Sequence, residues 1–115
     1  MNEATKAQYL DGEVMPSGMV VEEVAGGPGT PLAGWPFEAS RFTVPPGATS
    51  ELDRHRVSEV WMVRAGTGTV RSEDRSIELA AGDCVYFPSF VPHQVTNSGD
   101  GPLEVFSLWW SGEER

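Results

Sequence analysis

Residues 47–66 read Gly47-Ala48-Thr49-Ser50-Glu51-Leu52-Asp53-Arg54-His55-Arg56-Val57-Ser58-Glu59-Val60-Trp61-Met62-Val63-Arg64-Ala65-Gly66. β-Branched and aromatic residues bounded by glycines are the pattern of short paired strands. Side chains on a strand alternate between faces, so on a strand over 49–56 Asp53 and His55 point one way and Arg54 and Arg56 the other. Glu59 opens a second strand, over 59–65, and Trp61 and Val63 follow on its face at period two. An antiparallel return from the bend between the two strands brings the Glu59 carboxylate back beside the Asp53 and His55 pair.

Six more segments of this kind flank the stretch: 38–44, 67–72, 75–79, 84–87, 91–97 and 103–110. Eight short strands in about 75 residues fit a sandwich or small barrel. Gly66 and Gly68 punctuate one tight reversal, Glu73-Asp74 another, and 97–102 a third. Thirteen Gly and nine Pro leave little uninterrupted length for helices. With 115 residues, 39% apolar and 22% charged, the chain has the size and composition of one folded all-β domain. Residues 1–18 are polar and end in Pro16-Ser17-Gly18, so they are expected to form an arm with little chemistry, ahead of a barrel over 19–115. On the last strand Leu103, Val105, Ser107 and Trp109 share one face, and Glu104, Phe106, Leu108 and Trp110 the other. Both faces are largely apolar, so the outer one is expected to meet a second sheet or a second subunit, a homodimer.

Eight basic against seventeen acidic side chains give a formal charge of -9, which repels phosphate backbones and anionic bilayers and excludes nucleic acid and membrane as expected partners. The single cysteine, Cys84, rules out an intrachain disulfide, fits a reducing compartment, and reads as a small buried apolar residue. The first thirteen residues lack an apolar signal-type core, and no stretch reaches the roughly 18 apolar residues of a membrane span, so a cytoplasmic location is expected.

A second stretch, 82–97, reads Gly82-Asp83-Cys84-Val85-Tyr86-Phe87-Pro88-Ser89-Phe90-Val91-Pro92-His93-Gln94-Val95-Thr96-Asn97 and carries the chain's other histidine. Asp53, His55, Glu59 and His93 together offer oxygen and nitrogen donors suited to one divalent transition metal. Other reaction classes find no support, because the sequence has no G-x-S-x-G, phosphate-loop, CxxC or H-E-x-x-H pattern.

The two stretches, G-x5-D-x-H-x3-E-x6-G and G-x5-P-x-F-x2-H-x3-N with fifteen residues between them, resemble the paired signature motifs of the cupin superfamily, at the spacing of small single-domain microbial cupins. The resemblance spans residues 38–110 and implies a six-to-eight-stranded jelly-roll barrel, the cupin double-stranded β-helix, with a metal in its wider mouth. It places His55, Glu59 and His93 on family metal ligands. Asp53 stands where the family usually has its first histidine, and Phe90 where it usually has glycine. Two carboxylates and two imidazoles favour Fe(II) or Mn(II), with Zn(II) and Ni(II) compatible. Without Glu59, the remaining three would form a two-histidine, one-carboxylate triad with open positions. Asp53 and Glu59 are the candidates for proton transfer as well as ligation.

Trp35 and Phe37, in the loop that follows Gly26-Gly27-Pro28-Gly29, together with Trp61 and Phe90, are expected to wall an apolar pocket, Trp61 with the alternative of core packing. Tyr86 is a candidate hydrogen-bond donor to substrate, whereas Arg41 and Arg64 read as solvated. The expected function is that of a metal-dependent enzyme acting on a small oxygen-bearing molecule, by dioxygenase-type or non-redox isomerase, cyclase or lyase chemistry. Quercetinase-like dioxygenases and polyketide cyclases are family precedents. The alternative is a ligand-binding or sensor barrel without turnover.

Overall fold

The computed structural model describes residues 4–30 and 33–111; parts of the expected arm (1–3), of the glycine-rich loop (31–32) and of the C-terminal end (112–115) lie outside it. The described residues form nine strands: β1 (Glu13–Val14), β2 (Val20–Glu23), β3 (Glu38–Val44), β4 (Ser58–Ala65), β5 (Thr67–Ser72), β6 (Arg75–Ala80), β7 (Cys84–Phe87), β8 (Gln94–Asn97) and β9 (Leu103–Trp110). A six-stranded sheet in the order β1-β2-β3-β9-β4-β7 packs against a three-stranded one in the order β6-β5-β8, and all pairings are antiparallel. This is the expected all-β jelly roll, one strand above the expected range because the N-terminal region adds a hairpin. Among the described residues no helix is long and apolar enough to cross a membrane.

The alternation read in the sequence sets the layers. Val44, Trp61, Val63, Val70, Phe87, Val95, Leu103 and Val105 point between the sheets and form the core. Each such side chain, fully buried, stabilises the fold by roughly 1.5–3 kcal/mol. Asn97, equally buried, ties the β8–β9 connection: its amide donates to the carbonyls of Val44 (2.8 Å) and Gly101 (2.9 Å), and its Oδ1 accepts from the Gly99 amide (2.8 Å). Glu73-Asp74 forms the expected two-residue hairpin, with Glu73 at φ 57° and Ser72 paired to Arg75. Gly66 differs from expectation. It is no reversal but a corner at which the chain leaves one sheet for the other, at φ 89°, so close to the β9 entry that a Cβ there would meet the Pro102 carbonyl at 2.5 Å.

Two further expectations are corrected. Residues 49–56 do not form a regular strand; they touch the 93–96 segment through two isolated bridges, Thr49 to Thr96 and Asp53 to His93. Cys84 is exposed, because β7 turns Cys84 and Tyr86 outward and Val85 and Phe87 inward. The arm docks in part: the β1–β2 hairpin adds to the sheet edge, and its loop is latched where the Ser17 amide and hydroxyl donate to the two Glu51 carboxylate oxygens at 2.8 and 2.7 Å. Arg41 and Arg64 are exposed as expected, but each is paired, Arg41 with Glu22 and Arg64 with Glu104.

The outer face of the large sheet carries exposed Met62 and Tyr86 beside half-buried Val60, Phe106, Leu108 and Trp110, with the Tyr86 and Trp110 rings stacked at 6.4 Å.

Candidate metal centre

The centre lies on the inner face of the large sheet, where that sheet meets the 49–57 segment. Asp53 and His93 exchange reciprocal backbone hydrogen bonds, both 2.9 Å, which sets the two residues side by side. Two residues on, the His55 carbonyl accepts the Phe90 amide at 2.6 Å, so the start of the second motif holds this segment at two points. Donor atoms of Asp53, His55 and His93 lie within 4.8 Å of one another, and His55 Nε2 is 3.7 Å from Asp53 Oδ1. The burial is graded: His93 is buried, Asp53 half-buried and His55 exposed.

Glu59 enters from β4, at the foot of the same cavity. Its Oε2 accepts two hydrogen bonds, from Trp61 Nε1 (2.8 Å) and from Ser107 Oγ on β9 (2.6 Å). Oε1 has no hydrogen-bond partner, and it lies 3.1 Å from His93 Nε2, which has none either. With His93 Nδ1 donating to the Val91 carbonyl at 3.1 Å, Nε2 of the neutral ring carries the lone pair. Two buried acceptors thus face each other at contact distance. Such a pair costs several kcal/mol in rough terms unless a cation, a proton or a metal ion, sits between or beside them. The donor set therefore fits a divalent transition metal: two imidazole nitrogens and one carboxylate within reach of one ion, with the Glu59 carboxylate outside that group but 3.1 Å from His93 Nε2. Phe87 stacks on the His93 ring at 4.0 Å and Trp61 meets it edge-on at 5.3 Å, a dry shell that fixes the ring.

The electrostatics reflect the crowding. For Asp53, burial pushes the pKa up, Glu59 and Glu51 add to that push, and the neighbouring imidazoles only partly offset it. For Glu59, burial also pushes upward but is outweighed by His93, Ser107 and Trp61, so its pKa falls below the ordinary value. For His93, burial pulls downward and the Glu59 carboxylate beside it prevails, so its pKa is raised.

A cavity of about 290 Å³ opens onto Asp53, His55 and Glu59. Its apolar wall includes Met15, Met19, Val21, Phe42, Trp61 and Trp109. Trp61 thus serves both readings made of it, buried in the core and bordering the cavity. Trp35 and Phe37, in mutual contact at 4.8 Å, line a second cavity of about 440 Å³ that shares Glu23 and Trp109 with the first. Phe90 lines neither. It sits at φ 65°, a left-handed backbone that glycine adopts without strain, with Arg54 donating to its carbonyl at 3.0 Å. Tyr86 faces outward, away from the centre. Sequence reasoning missed Met15, Met19, Glu23 and Glu51 as cavity residues. Period two could have placed Val21 and Glu23 on one face, but only the hairpin latch brings Met15 and Met19 over the mouth.

A family model described as cupin domain matches residues 40–110. Xanthan biosynthesis protein XanB of Xanthomonas campestris pv. campestris (strain B100) is 37% identical over 73 residues, which are 63% of this chain and 16% of that one. Alginate biosynthesis protein AlgA of Pseudomonas aeruginosa is 33% identical over 73 residues, 63% of this chain and 15% of that one. The chain thus spans about a sixth of the length of these relatives. Among solved structures, a cupin 2 conserved barrel domain protein from Salinispora arenicola CNS-205 superposes with a TM-score of 0.80 at 26% identity, covering 96% of this chain and 92% of that one. A cupin 2 domain-containing protein from Halorhodospira halophila gives 0.74 at 29% identity, covering 99% and 82%. Both motifs, strands β4 to β9 and the donor cluster fall inside the matched region, and this chain belongs to the cupin family.

Proposed function

We propose that this chain is a metal-dependent cupin enzyme acting on a small oxygen-bearing organic molecule, by dioxygenase-type or by non-redox isomerase, cyclase or lyase chemistry at one divalent metal. The observation that carries the reading is the pair of buried acceptors, Glu59 Oε1 and His93 Nε2, 3.1 Å apart beside Asp53 and His55. Asp53, His55 and His93 would hold the metal, with Glu59 as the fourth donor. When bound, a divalent ion supplies Lewis-acid polarisation of a substrate oxygen. Trp61 and Ser107 keep the Glu59 carboxylate oriented, and the Met15, Met19, Phe42 and Trp109 wall offers the substrate an apolar face. Asp53, half-buried beside both imidazoles, either completes that ligand set or moves a proton.

The test is elemental analysis of protein purified anaerobically without a metal-chelating tag, alongside His93→Ala. Near-stoichiometric iron or manganese that is lost in the variant supports the oxygen-dependent branch, and zinc the non-redox branch. Absence of metal from the wild-type protein sinks the reading. In the xanthan and alginate relatives the likeness covers a segment of a much longer chain, which favours a second reading, a ligand-binding barrel without turnover of its own. That reading predicts small-molecule binding indifferent to chelators.

The outer face of the large sheet supports a homodimer. Its apolar residues are bordered by charges already paired within the chain, Arg41 with Glu22 and Arg64 with Glu104, so a second copy meets a neutral surface despite the net charge of -9. Light scattering should give twice the 12.5 kDa chain mass, and a monomer for Leu108→Glu. A cytoplasmic setting fits the exposed, unpaired Cys84.

A further inference from the structure

The charges around the cavity narrow the substrate class of the metal centre read above. Four carboxylates, Glu23, Glu51, Asp53 and Glu59, line it, and no lysine or arginine is among its described lining residues. The adjoining cavity adds Glu38, again with no basic side chain. Two neighbouring arginines are engaged elsewhere. Arg54 is held by the Phe90 carbonyl, with its guanidinium 5.7 Å from the Phe90 ring. Arg41 is committed to Glu22 and to the face of Tyr9.

One divalent ion offsets Asp53 and Glu59. Glu51 and Glu23 remain, and Ser17 gives Glu51 hydrogen bonds but no charge. Glu23 makes no ion pair among the described residues and stands at the seam of the two cavities with Trp109. A phosphate or carboxylate on the substrate body would meet these anions, Glu51 half-buried and Glu23 exposed at the cavity rim, at short range. An uncharged body meets an aromatic and thioether wall, and a cationic one gains both a carboxylate and an aromatic face.

Resting on the metal-centre reading, we propose that the site takes small molecules whose body, beyond the oxygen that meets the metal, is uncharged or cationic, that it refuses phosphorylated or carboxylated ones, and that Glu23 is the specificity-determining residue. The test uses three probes with one metal-binding catechol ring and different far ends: catechol, dopamine and protocatechuate, uncharged, cationic and anionic. Their dissociation constants are measured at low ionic strength by ligand-observed NMR, on zinc-loaded and on chelator-stripped protein, with metal content determined for each sample. Protocatechuate is expected to bind about tenfold or more weakly than the other two. Glu23→Gln narrows the gap, and Glu23→Lys reverses it. Equal binding of protocatechuate and catechol overturns the proposal, as does a ranking unchanged in both variants or uptake of none of the three. Protein that holds no metal yet keeps the ranking retains the charge inference and discards the metal centre. Protein that holds zinc without ranking the probes does the reverse.

Discussion

The two halves of the candidate metal centre are built differently. Glu59 stands on β4, a strand paired on both sides by β7 and β9, and its carboxylate is gripped by Trp61 and Ser107 in the interior of the large sheet. Asp53 and His55 stand on a segment joined to the second motif by isolated bridges, with side chains 40% and 47% exposed. The inner half is therefore part of the folding core, whereas the outer half is shaped by a few cross-links, among them the Ser17 latch on Glu51. Metal binding should act mainly on the outer half, since a site not fully fixed by the fold is completed by its ion.

The most severe way to break this contrast is Glu59→Ala. Removing the carboxylate leaves Trp61 Nε1 and Ser107 Oγ without their acceptor, and chemical denaturation of the stripped variant should show a loss of about 3 kcal/mol. His55→Ala addresses the outer half. Metal affinity should fall by more than about 100-fold in competition with a chromophoric chelator, the upper range for a mere supporting partner. The stripped fold should stay within about 0.5 kcal/mol of wild type, as for other exposed positions. A large destabilisation by His55→Ala would erase the distinction between the halves.

A pH series on stripped protein sharpens it further. The lowered Glu59 pKa contributes stability that is present above its ordinary 4.5 and lost as pH falls through the lowered value. The raised His93 pKa contributes stability that is present below its ordinary 6.5 and lost as pH rises through the raised value. Both contributions are present between pH 4.5 and 6.5, so the midpoint of unfolding should be highest in that window. Asp53 is shifted upward and works against Glu59 at the acid edge, so the Asp53→Asn background should isolate the pair. The smallest effect expected is from Phe90→Gly. Relief of a left-handed φ at a non-glycine residue, less the added backbone entropy, should stabilise the protein by about 0.5–1 kcal/mol, read as a higher Tm.

Much of the barrel was legible in the sequence because alternation and punctuation agree there. The segments 38–44, 67–72, 84–87 and 103–110 coincide with strands at both ends. The 49–56 segment misled because side chains take over its ladder: the Ser50 hydroxyl accepts the Val95 amide at 3.0 Å, and the Gln94 side chain donates to the Ser50 carbonyl at 2.9 Å. Asp53, His55, Glu59 and His93 were readable from motif spacing, yet Ser107 lies 48 residues from the Glu59 it holds, and Ser17 lies 34 from Glu51. No local pattern encodes contacts of that range. For Cys84, period two gave the partition into faces without saying which face is inner, and the structure turns it outward.

The reciprocal backbone pairing of Asp53 with His93 has a consequence for how such a centre changes over time. Because main-chain atoms fix where residue 53 stands, its side chain is a replaceable pin in a constant socket. Asp53→His would exchange an anionic donor for a neutral one while the socket keeps its place, raising the net charge around the ion by one unit and leaving the barrel alone. A lineage can thus retune the ion's acidity and its choice of metal by substitutions at one address, without rebuilding the frame that carries it.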